Sequence, residues 1–221
     1  MPISHNVSDK LEKSSWIRKM FEEGLRMKQE HGAENVFDLS LGNPVVEPPE
    51  QVRQAIKSAA NDTTPGLHRY MPNAGLNDVR DAIARSLSVE SSVKLTADHI
   101  VMVCGAAGGL NITLKTLLDP GEEVIVFSPF FVEYLFYSEN HGGKTVIVPT
   151  DEDFSPNLDA FRDALSPKTK AVIINSPNNP TGVVYPYKVL KKIATILQKH
   201  SSDTGNTVYL ISDDPYKKIV F

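Results

Sequence analysis

Residues 171–177 read AVIINSP, an apolar run without a polar interruption that stops at an asparagine, a serine and a proline. A strand with one solvated face alternates apolar and polar residues, so a run apolar at every position belongs to a strand covered on both faces. The same texture recurs at HIVMVCG (99–105), EEVIVFSP (122–129), KTVIVPT (144–150) and VYLISDD (208–214), each ended by Gly, Pro, Ser, Asn or Asp. Helical patterns fill the intervals at 109–118, 132–140, 158–165 and 188–199. Doubly covered strands alternating with helices predict an α/β fold, a mostly parallel sheet in a doubly wound domain. Upstream, residues 14–29 set Ile17, Met20, Phe21 and Met27 at near-helical spacing, and further helices are expected at 50–60 and 76–87, the latter with Val79, Ile83 and Leu87 on one stripe. The domain reading is 1–48 for an N-terminal arm and part of a small domain, and 49–221 for the large domain.

Composition narrows the partner. The 221 residues are 41% hydrophobic and carry a net charge of -4, which supplies no basic stripe for nucleic acid and no polybasic surface for anionic lipid. The expected partner is a small molecule. A single cysteine, Cys104, excludes an internal disulfide framework. The six histidines never fall at HxxxH or HExxH spacing, so no metal site is expected. The opening MPISHNVSDKLEKSS has no apolar segment of signal-peptide type, and no run of about eighteen apolar residues occurs, so the expected location is cytoplasmic.

In an open α/β sheet, ligands bind beyond the carboxyl ends of the strands, which directs attention to the residues after each run. After HIVMV, the small residues CGAAGG open a helix, where backbone N–H groups and the helix dipole attract a phosphate; tight strand-to-helix packing explains the same residues. After EEVIVF, Phe130 and Phe131 follow a proline. In a parallel sheet one of them points at the crevice and offers a flat apolar platform, although adjacent aromatics are ordinarily core. After AVIIN, the turn SPNNPTG sets Asn179 next to Pro180 as a rigid amide donor; Pro129 and Pro180 both end apolar runs, where a cis bond that aims a side chain is considered. After VYLIS come Asp213 and Tyr216, a carboxylate and a phenol above the same crevice. Together these groups suit a phosphorylated, protonated heteroaromatic ring bearing an oxygen.

With those residues in place, the chain resembles the class I/II aminotransferases of the fold-type I pyridoxal-phosphate superfamily, those of the aspartate aminotransferase kind. The resemblance runs the length of the chain and rests on motif order: LSLGNP (39–44), RYMPNAGLNDVRDAI (69–83), CGAAGGL (104–110), SPFFVEY (128–134), SPNNPTG (176–182) and DDPY (213–216). It implies a large domain with a mostly parallel sheet, incomplete here, and pyridoxal 5′-phosphate as cofactor. Asp213 would pair with the protonated pyridine nitrogen, Asn179 and Tyr216 would bond the ring's 3-oxygen, and Phe131 would stack on the ring. Gly105, Ala106 and Ala107 would give backbone N–H groups to the phosphate; relatives often carry Ser or Thr here, a hydroxyl this chain lacks. Tyr70 would reach the phosphate of the neighbouring subunit, which implies a homodimer, and Gly42 would lie beside the substrate carboxylate.

The resemblance also places the Schiff-base lysine and the carboxylate-binding arginine beyond Phe221, with Lys217 and Lys218 read as a solvated segment. The strand HIVMVCG would join the sheet through strands that follow residue 221. Residues 1–221 are accordingly expected to be a truncated portion, unable by themselves to transfer an amino group from an amino acid to a 2-oxo acid. Other readings are a β-lyase or decarboxylase on the same scaffold, a binding domain that keeps the fold without catalysis, and a nucleotide-binding domain, disfavoured because no GxGxxG follows the first strand.

Overall fold

Val124 to Phe127 carry a β-branched or aromatic side chain at every position, which suits a pleated strand covered on both faces. They form the centre of β1 (Glu123–Ser128), and none is more than 3% exposed. The computed structural model of the chain describes residues 3–4, 7–8, 15–39, 42 and 46–220, without the side chains of 15–18 and 21. Within it β1 lies between β2 (Lys144–Pro149) and β3 (Thr169–Asn175), and β3 pairs with β4 (Tyr209–Asp213). Every pairing is parallel, in the order β2-β1-β3-β4.

Helices α1 (Ser15–His31), α2 (Glu50–Ala60), α3 (Asn77–Ser91) and α4 (Gly105–Leu117) precede the sheet. Parallel neighbours need crossovers, which run through α5 (Glu133–Glu139), α6 (Leu158–Ala164) and α7 (Tyr187–Thr204). Their ends follow from sequence. Asn157 caps α6 by accepting from the Ala160 N–H at 2.8 Å, and Gly205, left-handed at φ 73°, closes α7.

Alternation along the central strands divides the core. Ile125, Phe127, Val172 and Ile174 pack with Phe161 of α6 and with Ile193 and Leu197 of α7. Val124, Val126, Ala171 and Ile173 face the other way, onto Leu110 and Leu114 of α4 and Tyr134 of α5. Helices thus cover both faces, as the apolar texture predicted.

Two expectations need correction. Burial of every apolar residue holds for β1 and β3 but not for the outer strands: Ile147 of β2 is 55% exposed and Leu210 of β4 is 39% exposed. Each has a strand neighbour on one side alone among the described residues. HIVMV is not a strand. After a 3₁₀ turn at Ala97–His99, residues 100–103 lie outside the sheet, and Val101, Met102 and Val103 are exposed. Their apolar pattern reports a demand for burial, yet no described strand lies beside them to accept a ladder. Local bonds hold the segment instead. The Arg80 guanidinium donates to the carbonyls of Ala97 and Ile100, and the Met102 N–H donates to Ala74 O at 2.9 Å.

The chain divides into two compact units, Met1–Arg69 and Tyr70–Phe221. The first contains α1 and α2, the second α3 to α7 and the whole sheet. Of the apolar stripe expected on α1, Met20 and Met27 are exposed, and the side chains of Ile17 and Phe21 lie outside the described residues.

Candidate functional site

Asn175 and Asp213 are the last residues of β3 and β4 and stand in register as neighbours. Beyond Asn175 the chain turns through 176–182, where Pro177 has no N–H with which to extend the ladder. The Asn175 side chain takes over. Its Nδ2 donates to the Asp213 carbonyl at 2.7 Å, and its Oδ1 accepts from the Asn179 N–H at 2.6 Å.

The two asparagines of the turn divide their tasks. Asn178 is buried and builds the turn: its carbonyl accepts from the Gly182 N–H at 2.7 Å, and its Oδ1 accepts from the Thr181 hydroxyl at 2.9 Å. Gly182 adopts φ 73°, a left-handed angle that glycine takes without strain. Asn179 instead projects toward Tyr216, with Nδ2 3.5 Å from the phenol oxygen. Asn179–Pro180 and Ser128–Pro129, both considered for cis geometry, are cis, and Ser176–Pro177, which was not considered, is cis too.

Asp213 is held from a second direction. Tyr134, 2% exposed, donates its hydroxyl to Asp213 Oδ2 at 2.7 Å. Burial chiefly, and then the bond to the Asp213 carboxylate, push the Tyr134 phenol well above the usual tyrosine range, so it serves as a donor and not as an anion. Phe131 meets Tyr134 edge-on at 5.7 Å and is 36% exposed, whereas Phe130 packs against the buried cluster. The adjacent phenylalanines therefore split between core and surface.

The structure thus brings Asn179, Asp213 and Tyr216 into one bonded neighbourhood and connects Phe131 to it through Tyr134. A cleft of about 460 Å³ adjoins this neighbourhood, lined in part by Asn179, Tyr216, Gly182 and Ile219; Asp213 and Phe131 are not among its lining residues. Gly105, Ala106 and Ala107 form the exposed first turn of α4, which no side chain caps. The Gly105 N–H already donates to Val103 O at 3.0 Å, so of the three N–H groups expected to face a phosphate those of Ala106 and Ala107 remain. Tyr70 is fully exposed in the second unit. Gly42 is exposed in the first, and Ser40, Leu41, Asn43 and Pro44 of its motif lie outside the described residues.

Lys217 and Lys218 are engaged by Glu90, at 2.8 and 3.6 Å. Among the described residues no group of acidic, histidine and cysteine side chains could hold a metal, and no helix is long and apolar enough to cross a membrane. Sequence reasoning missed Asn175 and Tyr134. Asn175 was legible only as a strand terminus, and Tyr134 only as part of SPFFVEY.

The donor set fits pyridoxal phosphate: a carboxylate suits a protonated ring nitrogen, and the amide and phenol of Asn179 and Tyr216 suit one ring oxygen.

The sequence model of the family described as aminotransferase class I and II matches residues 34–221. The aspartate/prephenate aminotransferase of Thermus thermophilus is 36% identical over 185 residues, 83% of this chain and 46% of its own length. The aspartate aminotransferase of Pyrococcus abyssi is 35% identical over 220 residues, 97% of this chain and 53% of its own. A crystal structure of an amino transferase from Eubacterium rectale superposes with a TM-score of 0.92 at 36% identity, covering 100% of this chain and 56% of that one. The chain spans about half the length of the curated relatives it matches.

Proposed function

Because the chain belongs to the class I and II aminotransferase family, we propose that the whole protein moves an amino group from an amino acid to a 2-oxo acid with pyridoxal 5′-phosphate. The observation that carries the reading is Asp213, whose carboxylate accepts from Tyr134 at 2.7 Å and whose backbone carbonyl is tied through Asn175 to Asn179 and, beyond it, Tyr216. When bound, the cofactor supplies a carbonyl carbon to receive the amino group and a cationic ring to withdraw electrons from it. Asp213 would keep the proton on the ring nitrogen, since a carboxylate beside a cation favours the charged form of both. Asn179 and Tyr216 would hold the ring oxygen, Phe131 would cover one ring face, and Gly105, Ala106 and Ala107 would cradle the phosphate, Ala106 and Ala107 through N–H groups.

On this reading residues 1–48 serve as the arm and part of the small domain, and 49–221 as the cofactor domain. Tyr70 reaches a neighbouring subunit's phosphate in a homodimer, Gly42 lies beside the substrate carboxylate, and the protein works in the cytoplasm. The ion pairs of Lys217 and Lys218 with Glu90 support leaving both lysines out of the chemistry.

The test uses a protein that carries this chain in full, incubated with pyridoxal phosphate, an amino-acid panel and 2-oxoglutarate. Amino transfer should fall about 100-fold or more in Asp213→Asn, because an unpaired ring cation forfeits a contact of several kcal/mol. Transfer that survives Asp213→Asn undiminished sinks the assignment.

A further inference from the structure

The buried amide of Asn175 lies outside the ring-holding set described above, and its geometry differs from that of an ordinary strand end. It is 4% exposed, sits at the carboxyl end of a central strand, and uses its donor and its acceptor on two different segments. The donor goes to the backbone carbonyl of Asp213 at 2.7 Å, and the acceptor takes the backbone N–H of Asn179 at 2.6 Å. Neither bond touches the functional atoms of those residues. Both fix the Cα positions from which the functional atoms project.

We propose that Asn175 is a positioning residue: a double-ended clip that sets the spacing between the carboxylate of Asp213 and the amide of Asn179, and so the span between a ring nitrogen and a ring oxygen. The inference rests on the cofactor reading above. The physical case is that β4 and the 176–182 turn have no other direct bond at this point. Pro177 cannot donate across to β4, and the remaining link, Asn179 Nδ2 to the Tyr216 oxygen, is 3.5 Å long and solvent-facing. A buried amide bonded at both ends resists displacement, because breaking either bond strands a polar group away from water. Two groups that must meet opposite sides of one rigid ring gain affinity from being held at the right separation beforehand.

The clip can be opened at one end. Asn175→Asp preserves shape and the acceptor for the Asn179 N–H and, once ionised, has no proton for the Asp213 carbonyl, so binding is followed from about pH 6 to 9 and read where it no longer changes with ionisation. The probe is pyridoxamine 5′-phosphate, which has no aldehyde to condense with lysines, titrated into the cofactor-free form of a protein that carries this chain in full and followed by cofactor fluorescence. Asn175→Asp should weaken binding about tenfold or more. In an Asp213→Asn background the same change should cost less than about twofold, because the contact it positions is already gone. Asn175→Ala, which opens both ends, should weaken the probe at least as much as Asn175→Asp, with thermal unfolding run on every variant to establish that each is folded.

Equal binding by wild type and a folded Asn175→Asp overturns the clip while leaving the cofactor reading intact. Losses that multiply fully in the double variant also overturn it, since they show a general structural role. A wild-type protein that carries this chain in full and takes up no probe overturns the cofactor reading and the clip with it.

Discussion

At Asp213 two bonds of different kinds meet. Asn175 holds its backbone carbonyl and Tyr134 holds its carboxylate, so the side chain has one oxygen committed and one available. A hydrogen bond to a charged acceptor contributes about 1.5–3 kcal/mol when both partners are shielded, and less when the acceptor can be rehydrated, as this half-buried carboxylate can. Tyr134→Phe should therefore lower stability by about 1 kcal/mol. Urea unfolding of Tyr134→Phe, Asp213→Asn and the double variant checks it: the double variant should be less destabilised than the sum, and full additivity would show that the pair is uncoupled. Asp213, Asn179 and Tyr216 were legible in the sequence because each follows an apolar run, where strand-end geometry directs a side chain toward a ligand. Tyr134 and Asn175 were not. Tyr134 lies 79 residues from its partner, and Asn175 bonds a carbonyl 38 residues away, so both contacts exist only once the strands are in register.

Among the elements, the apolar runs named four of the five strands expected and mistook the fifth. β1 and β3 satisfied the inference completely, since each is bracketed by neighbours and by helices on both faces. HIVMV has the same texture without a neighbouring ladder, and composition alone cannot distinguish a paired strand from an apolar segment held by Arg80. Tyr185 shows what the packed layers do to chemistry. It is 4% exposed in the cluster with Val172, Ile193 and Leu197, and burial pushes its phenol up to about 12, a rise that its bond with Asn178 opposes. A group whose folded value exceeds its unfolded value of about 10 contributes stability that is complete below pH 10 and lost as pH rises toward 12. The chain should therefore lose about 2–3 kcal/mol across that window from this residue. Chemical denaturation at stepped alkaline pH measures the slope, and Tyr185→Phe should flatten part of it. A slope unchanged by Tyr185→Phe would assign the loss to other groups.

For the whole molecule, the fold and the family agree with what the sequence implied, while the two internal ties at Asp213 emerge only from the folded chain. The central claim is that strand ends in residues 70–221 form a cradle for a phosphorylated, protonated pyridine. It is tested by equilibrium titration of pyridoxamine 5′-phosphate into the cofactor-free form of a protein that carries this chain in full, wild type beside Asp213→Asn. Binding should saturate at one equivalent per chain and weaken about 100-fold or more when the carboxylate's charge is removed. Binding of equal strength in the two proteins would contradict the claim.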